Sequence, residues 1–161
     1  QRIGPRHVAF HPKKPFVLFS NEQELGVTLF RIGPQGNLSL AQVCSAGNQK
    51  ATAGVAASDI AITRDGRFVY VGVRDFGQGK VDAIHRYGIQ DSGRLTHLGK
   101  TAADKIPWGL ELSPSGRFLM VTATHGETLT AYEIQSDGNL MKKNVVTWGK
   151  MVRDIGVVLL E

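Results

Sequence analysis

Phe30-Arg31-Ile32-Gly33-Pro34-Gln35-Gly36-Asn37-Leu38 returns as Tyr87-Gly88-Ile89-Gln90-Asp91-Ser92-Gly93-Arg94-Leu95 and again as Tyr132-Glu133-Ile134-Gln135-Ser136-Asp137-Gly138-Asn139-Leu140. All three stretches obey aromatic-x-Ile-x-x-x-Gly-x-Leu. A pattern that recurs along one chain marks a repeat architecture, in which each copy is one supersecondary unit.

A second element precedes each copy. It spans residues 10–16 in the first repeat, then Ile62-Thr63-Arg64-Asp65-Gly66-Arg67-Phe68, then Leu112-Ser113-Pro114-Ser115-Gly116-Arg117-Phe118. Each is an apolar residue, a turn, and a phenylalanine that opens another apolar run. Asp65-Gly66 and Ser115-Gly116 supply the backbone freedom of a hairpin, because glycine tolerates positive φ. The third repeat then reads as strands over 110–112, 118–122, 129–134 and 140–145, with polar and apolar residues alternating. A period of two argues against helical repeats. Four strands in roughly 45 to 50 residues are the signature of a propeller blade.

The fold expected is therefore an all-β propeller of four-stranded antiparallel blades. Units begin near Gly4, Ser58 and Trp108 and cover about 4–56, 57–106 and 107–150; a fourth restarts at Met151-Val152-Arg153-Asp154-Ile155-Gly156-Val157 as a closing strand within 151–161. Three and a half blades do not close a ring that usually needs about four to eight. The remaining blades must come from elsewhere, or the apolar end faces are expected to self-associate. Between the first two units, residues 41–57 are rich in Ala, Gly and Ser and predict the end of an outer strand followed by a long loop. Asp75-Phe76-Gly77-Gln78-Gly79-Lys80 lacks the full phosphate-loop spacing and reads as a plain turn.

Composition agrees with many short strands: 19 Gly and 6 Pro in 161 residues, 42% hydrophobic and 20% charged. No run approaches the roughly 18 apolar residues of a membrane-spanning helix, and Gln1-Arg2-Ile3 does not begin a signal peptide. The single cysteine, Cys44, cannot form an intramolecular disulfide. That fits a reducing compartment, and a cytoplasmic protein is expected. The net charge of +5 suits an anionic partner, but the basic residues are scattered and no aromatic stacking platform accompanies them. Neither a nucleic-acid nor a membrane partner is expected.

In a propeller the first strand of each blade lines the central axis, so equivalent positions form a ring at one mouth. That ring carries Arg6-His7, Ser58-Asp59, Trp108-Gly109 and Arg153-Asp154, while the second strands end in Asn21-Glu22, Arg74-Asp75 and His125. A purely structural repeat has no reason to gather these charges.

Gly4-Pro5-Arg6-His7-Val8-Ala9-Phe10-His11-Pro12, Ser20-Asn21-Glu22, Ala57-Ser58-Asp59-Ile60-Ala61-Ile62 and Asp65-Gly66-Arg67-Phe68 together resemble the second half of the seven-bladed 6-phosphogluconolactonase family. That family also includes the fungal carboxy-muconate lactonising enzymes. The Asp-Gly-Arg-Phe turn is shared by many propellers; Gly-Pro-Arg-His, Asn-Glu and the Asp-Ile strand are the specific part. The resemblance implies a cleft of histidine, arginines and a carboxylate at the channel mouth. Arg6, His7, Glu22, Asp59 and Arg74 match it, and repeat position adds His125 and Arg153. One departure is Pro107-Trp108-Gly109, where the family often carries Pro-Arg.

Opening a lactone requires a base to activate water, donors for the oxyanion and cations for an anionic substituent. His7 or Glu22 is the expected base, Arg6 and Arg74 the phosphate and oxyanion ligands, and Asp59 the residue that orients one of them. The expected function is hydrolysis of a small anionic sugar lactone, 6-phosphogluconolactone first, with no metal and no cofactor. A muconate-type lactonising enzyme uses the same site for carboxylates, and a binding scaffold would use the mouth or edges for a protein. This stretch alone is expected to be inactive.

Plainer readings stand beside these. Arg6 and Asp59 could form a structural ion pair between blades. His11 reads as a turn residue, His85 and His97 as surface, and Trp108 and Trp148 as packing between blades, with stacking on a sugar ring as their other use. His125 is either in the site or in a loop. Neither a metal-ligand spacing nor a Gly-x-Ser-x-Gly elbow is present.

Overall fold

The alternation of each repeat becomes four strands in sequence order. A computed structural model describes residues 3–150 and 152–156. The first sheet runs β1 (Pro5–Phe10), β2 (Phe16–Asn21), β3 (Gly26–Ile32) and β4 (Leu38–Ser45). The second runs β5 (Val55–Ile62), β6 (Phe68–Asp75), β7 (Ala83–Ile89) and β8 (Leu95–Ala102). The third runs β9 (Pro107–Leu112), β10 (Phe118–Ala123), β11 (Thr128–Ile134) and β12 (Leu140–Thr147). Neighbours in each sheet are consecutive strands, and every pairing is antiparallel. No helix occurs among the described residues.

Strand β1 packs beside β5, β5 beside β9, and β4 beside β8. First strands thus stand together on the inside and fourth strands on the outside, as in propeller blades. The loop between β4 and β5 occupies 46–54, as the Ala, Gly and Ser content of that stretch predicts. The expected closing strand is not formed over 152–156, where no backbone group joins a ladder. That segment instead lies along the third blade, held by hydrogen bonds from Thr122 Oγ1 to the Arg153 carbonyl and from Thr124 Oγ1 to the Val152 carbonyl. Met151 and 157–161 lie outside the described residues.

The nine-residue motif is the β3–β4 connection and its equivalents. Gly36, Gly93 and Gly138 hold φ of 79°, 84° and 80°, a region that only glycine adopts without steric cost. Its aromatic residue reaches back to the preceding blade. Tyr87 and Leu95 join Leu18, Val27 and Leu29 of the first blade and Val69 and Val71 of the second in one core. Tyr132 joins Tyr70, Ile84, Leu110, Leu119 and Val121 in the other. Phe30 has no described blade behind it and rests edge-on against Phe19, with ring centroids 5.9 Å apart. An apolar face consequently lies open there, with Val8, Phe10, Leu38 and Leu40 exposed.

Blades are also tied at their turns. His11 is a turn residue whose Nδ1 accepts the Lys13 and Lys14 N–H groups, and its Nε2 donates to the Gly66 carbonyl of the next blade. A Cβ on Gly66 would meet the His11 ring at 2.3 Å.

Two further expectations are corrected. Trp148 is not packed between blades; it is 64% exposed. His85 is not on the surface either: it is 1% exposed, with Nδ1 3.0 Å from His97 Nε2. Ala46, Asn48 and Gln49 of the β4–β5 loop lie beside His85 and His97 and help to cover this outer strand. Burial first, then His97 and Lys100, lower the His85 pKa from 6.5 to about 4. The His97 imidazole is shifted down too, by burial and then Lys100 and Arg86. Above pH 6.5 both folded and unfolded chains carry neutral His85. Below it the unfolded chain takes up a proton that the folded one refuses, so acidification from about pH 6.5 to 4 is expected to remove about 3 kcal/mol of stability. Urea denaturation across that range checks this, and His85→Gln should flatten the slope.

Candidate active site

Each first strand carries an irregularity at the same place. Pro5 pairs with Asn21 and Val8 with Phe19, so Arg6 and His7 together face Ser20. Ser58 and Asp59 likewise face Gly72, and Trp108 and Gly109 face Thr122. Two residues against one make a β-bulge, which bends the strand and turns its side chains out of the regular alternation. The facing residue is small in all three blades. Ser20 Oγ accepts the His7 N–H and donates to the Ser58 carbonyl at 2.9 Å. Thr122 Oγ1 accepts the Gly109 N–H at 2.9 Å and donates to the Arg153 carbonyl. In the middle blade the hydroxyl comes from the bulge itself, since a Cβ on Gly72 would lie 2.2 Å from Ser58 Oγ.

The bulges bring two charged groupings together. His7 Nδ1 lies 3.4 Å from Asp59 Oδ1. Asp59 is itself fixed, because Oδ1 accepts the Ile60 N–H at 2.8 Å and Oδ2 the Leu110 N–H at 2.9 Å. In the second grouping, Glu22 Oε1 lies 2.5 Å from Arg74 Nη2 and 3.8 Å from Arg6 Nη1. Glu22 is held through its backbone, donating to the Gly4 carbonyl and accepting from Ala57 N–H. Arg74 is only 4% exposed. Burial, then the neighbouring Arg6, push its pKa down, and Glu22 opposes them. A desolvated guanidinium needs such a partner, since an unpaired buried charge is strongly unfavourable.

Trp108 sits among the arginines rather than in the inter-blade core. The guanidinium carbons of Arg74, Arg153 and Arg6 lie 4.1, 5.1 and 5.2 Å from its ring centroid. Phe76 packs edge-on against Trp108 and against His125, each at 6.2 Å between centroids. His125 is otherwise exposed at the rim. Arg6 and Asp59 do not pair with each other: Arg6 faces Glu22 and Asp59 faces His7, because the bulge turns adjacent residues to different partners. Among the described residues no three His, Cys, Asp or Glu side chains converge as a metal cluster.

Phe76 is the site residue that the sequence reading passed over. The Asp75–Lys80 segment is more than a plain turn. Asp75 accepts the Gly77, Gln78 and Lys80 N–H groups, and Asp82 Oδ1 accepts the Asp75 N–H. This wraps the loop around a carboxylate, as Asx turns do, and presents Phe76 to Trp108. An aspartate followed by small residues was the available signal.

With this geometry in hand, residues 1–152 match the family model described as Lactonase, 7-bladed beta-propeller. The chain belongs to that lactonase family. Among its relatives, a 6-phosphogluconolactonase of Klebsiella pneumoniae is 28% identical over 140 residues, which is 86% of this chain and 41% of the relative. A crystal structure from Bacteroides uniformis superposes with a TM-score of 0.83 at 23% identity, over 93% of this chain and 42% of that one. A periplasmic gluconolactonase of Pseudomonas aeruginosa gives a TM-score of 0.79 at 24% identity, over 92% and 41%. The chain thus spans about two fifths of the length of the relatives it matches, the share that three blades of seven would occupy.

Proposed function

We propose that the protein hydrolyses a sugar lactone bearing an anionic substituent, with 6-phosphogluconolactone as the leading substrate, and that His7 is the general base. The observation that carries the assignment is the Asp59–His7 pair. Asp59 is anchored by two backbone N–H groups and faces His7 Nδ1, which leaves Nε2 to accept a proton. Glu22, the other candidate base, already faces two guanidinium groups; its role in this reading is to hold Arg6 and Arg74.

In the reaction His7 takes a proton from water as the water oxygen bonds to the lactone carbonyl carbon. The carbonyl oxygen becomes an oxyanion that Arg6 or Arg74 stabilises. When the tetrahedral intermediate collapses, the ring C–O bond breaks and the leaving oxygen takes the proton back from the His7 imidazolium. Asp59 holds the ring in one orientation and balances the charge it transiently gains, the role a carboxylate plays in hydrolytic triads. The names of the relatives, 6-phosphogluconolactonase and gluconolactonase, support lactone hydrolysis as the class of reaction.

The test is turnover by the complete protein of 6-phosphogluconolactone beside unphosphorylated gluconolactone. The expected result is rapid loss of the phosphorylated lactone and slower loss of the other. Failure to open either would overturn the proposal.

A further inference from the structure

Trp108 occupies the repeat position that holds arginine at Arg6 and again at Arg153. Its ring is shared by three guanidinium groups from different parts of the chain, Arg6 on β1, Arg74 on β6 and Arg153 beyond β12. Like charges do not gather without compensation. Among the described residues Glu22 is the only carboxylate that pairs with any of the three, so the cluster keeps an excess of positive charge. Its donors are not all used either: Arg74 Nε, Arg74 Nη1 and Arg6 Nε are buried without a hydrogen-bond partner among the described residues.

An aromatic face attracts a guanidinium electrostatically and leaves its N–H edges free, because the ring takes no hydrogen bond in the guanidinium plane. A carboxylate in the same place would neutralise the arginines and consume those edges. An arginine there would add repulsion. A tryptophan at this point therefore keeps several arginines close together while leaving their charge and donors for a ligand. Phe76 steadies the indole from one edge.

We propose that Trp108 is a positioning residue that assembles Arg6, Arg74 and Arg153 into a single receptor for the anionic group of the ligand. The proposal rests on the lactonase reading for the identity of that ligand, but the assembly of the receptor is separable from turnover. Arg153 lies on the segment held against the third blade, where a Cβ on Gly109 would stand 2.7 Å from the Arg153 carbonyl. Trp108 thus also links that segment to the first blade.

Trp108→Leu and Trp108→Phe variants of the complete protein test this. Leucine keeps an apolar side chain and removes the π face; phenylalanine restores a face. The probes are 6-phosphogluconate and gluconate, measured by titration calorimetry so that no turnover is required. Trp108→Leu is expected to weaken 6-phosphogluconate binding about tenfold and gluconate binding less, with Trp108→Phe recovering most of the loss. With a lactone substrate the same variant should raise KM by a larger factor than it lowers kcat. Indole fluorescence of the parent should change on adding 6-phosphogluconate, and the change should vanish in Trp108→Phe. Unchanged affinity in the leucine variant, or equal losses for both probes, overturns the role of Trp108 even if lactones are hydrolysed. Trp108-dependent anion binding without hydrolysis overturns the lactonase reading and leaves the receptor standing.

Discussion

Replacing His7 by alanine in the complete protein is expected to lower kcat for the lactone by about a thousandfold, the range over which a positioned general base acts. The same experiment on Glu22→Gln is expected to act chiefly on KM. The contrast follows from the partners. His7 faces one fixed carboxylate, Asp59, and offers its other nitrogen to the site. Glu22 is engaged by Arg74 at 2.5 Å and neighboured by Arg6, so losing its charge loosens two cations without removing a proton acceptor. Steady-state kinetics on both variants, with Asp59→Asn as a third, separates the roles. A His7→Ala enzyme that keeps its kcat, or a Glu22→Gln enzyme that loses as much, would reverse the assignment of the base.

Leu29→Ala is expected to cost about 3 to 5 kcal/mol of stability, at the upper end for a large-to-small change in a core. Leu29 has no exposed surface and lies in the apolar layer shared by the first and second blades. Truncation there leaves a void that two stiff sheets cannot close, and unsatisfied volume between close-packed surfaces is what makes such changes severe. Its neighbours come from both blades, so the loss should register as one cooperative transition moved to lower denaturant. A separate early transition of the first blade alone would show that the blades are energetically independent. Chemical denaturation monitored by two probes distinguishes these outcomes.

The fold was legible because the repeat states its own geometry. The motif glycines Gly36, Gly93 and Gly138 take the same positive φ, and the aromatic position becomes the back-reaching Tyr87 and Tyr132. Position within the repeat also brought Arg6, His7, Asp59 and Arg74 to one end of the blades. What could not be read was who faces whom. Pairing inside a bulge depends on local backbone rotation, so Arg6 with Glu22 and His7 with Asp59 emerge only in three dimensions. Phe76 was obscured because its loop is organised by Asp75 rather than by a turn motif. His85 misled because strand order says how far a residue lies from the axis, not whether a neighbouring loop covers it.

The bulge facing Ser20, Gly72 and Thr122 has a consequence for sequence variation. Because both residues of each bulge stand opposite one position, the ladder resumes in the same phase whatever they are: Arg-His, Ser-Asp and Trp-Gly are all accommodated in this one chain. Exchange of these dipeptides spares the apolar cores between blades, to which none of the six residues belongs. Side chains at the mouth can therefore vary in chemistry while the apolar cores that join the blades stay the same.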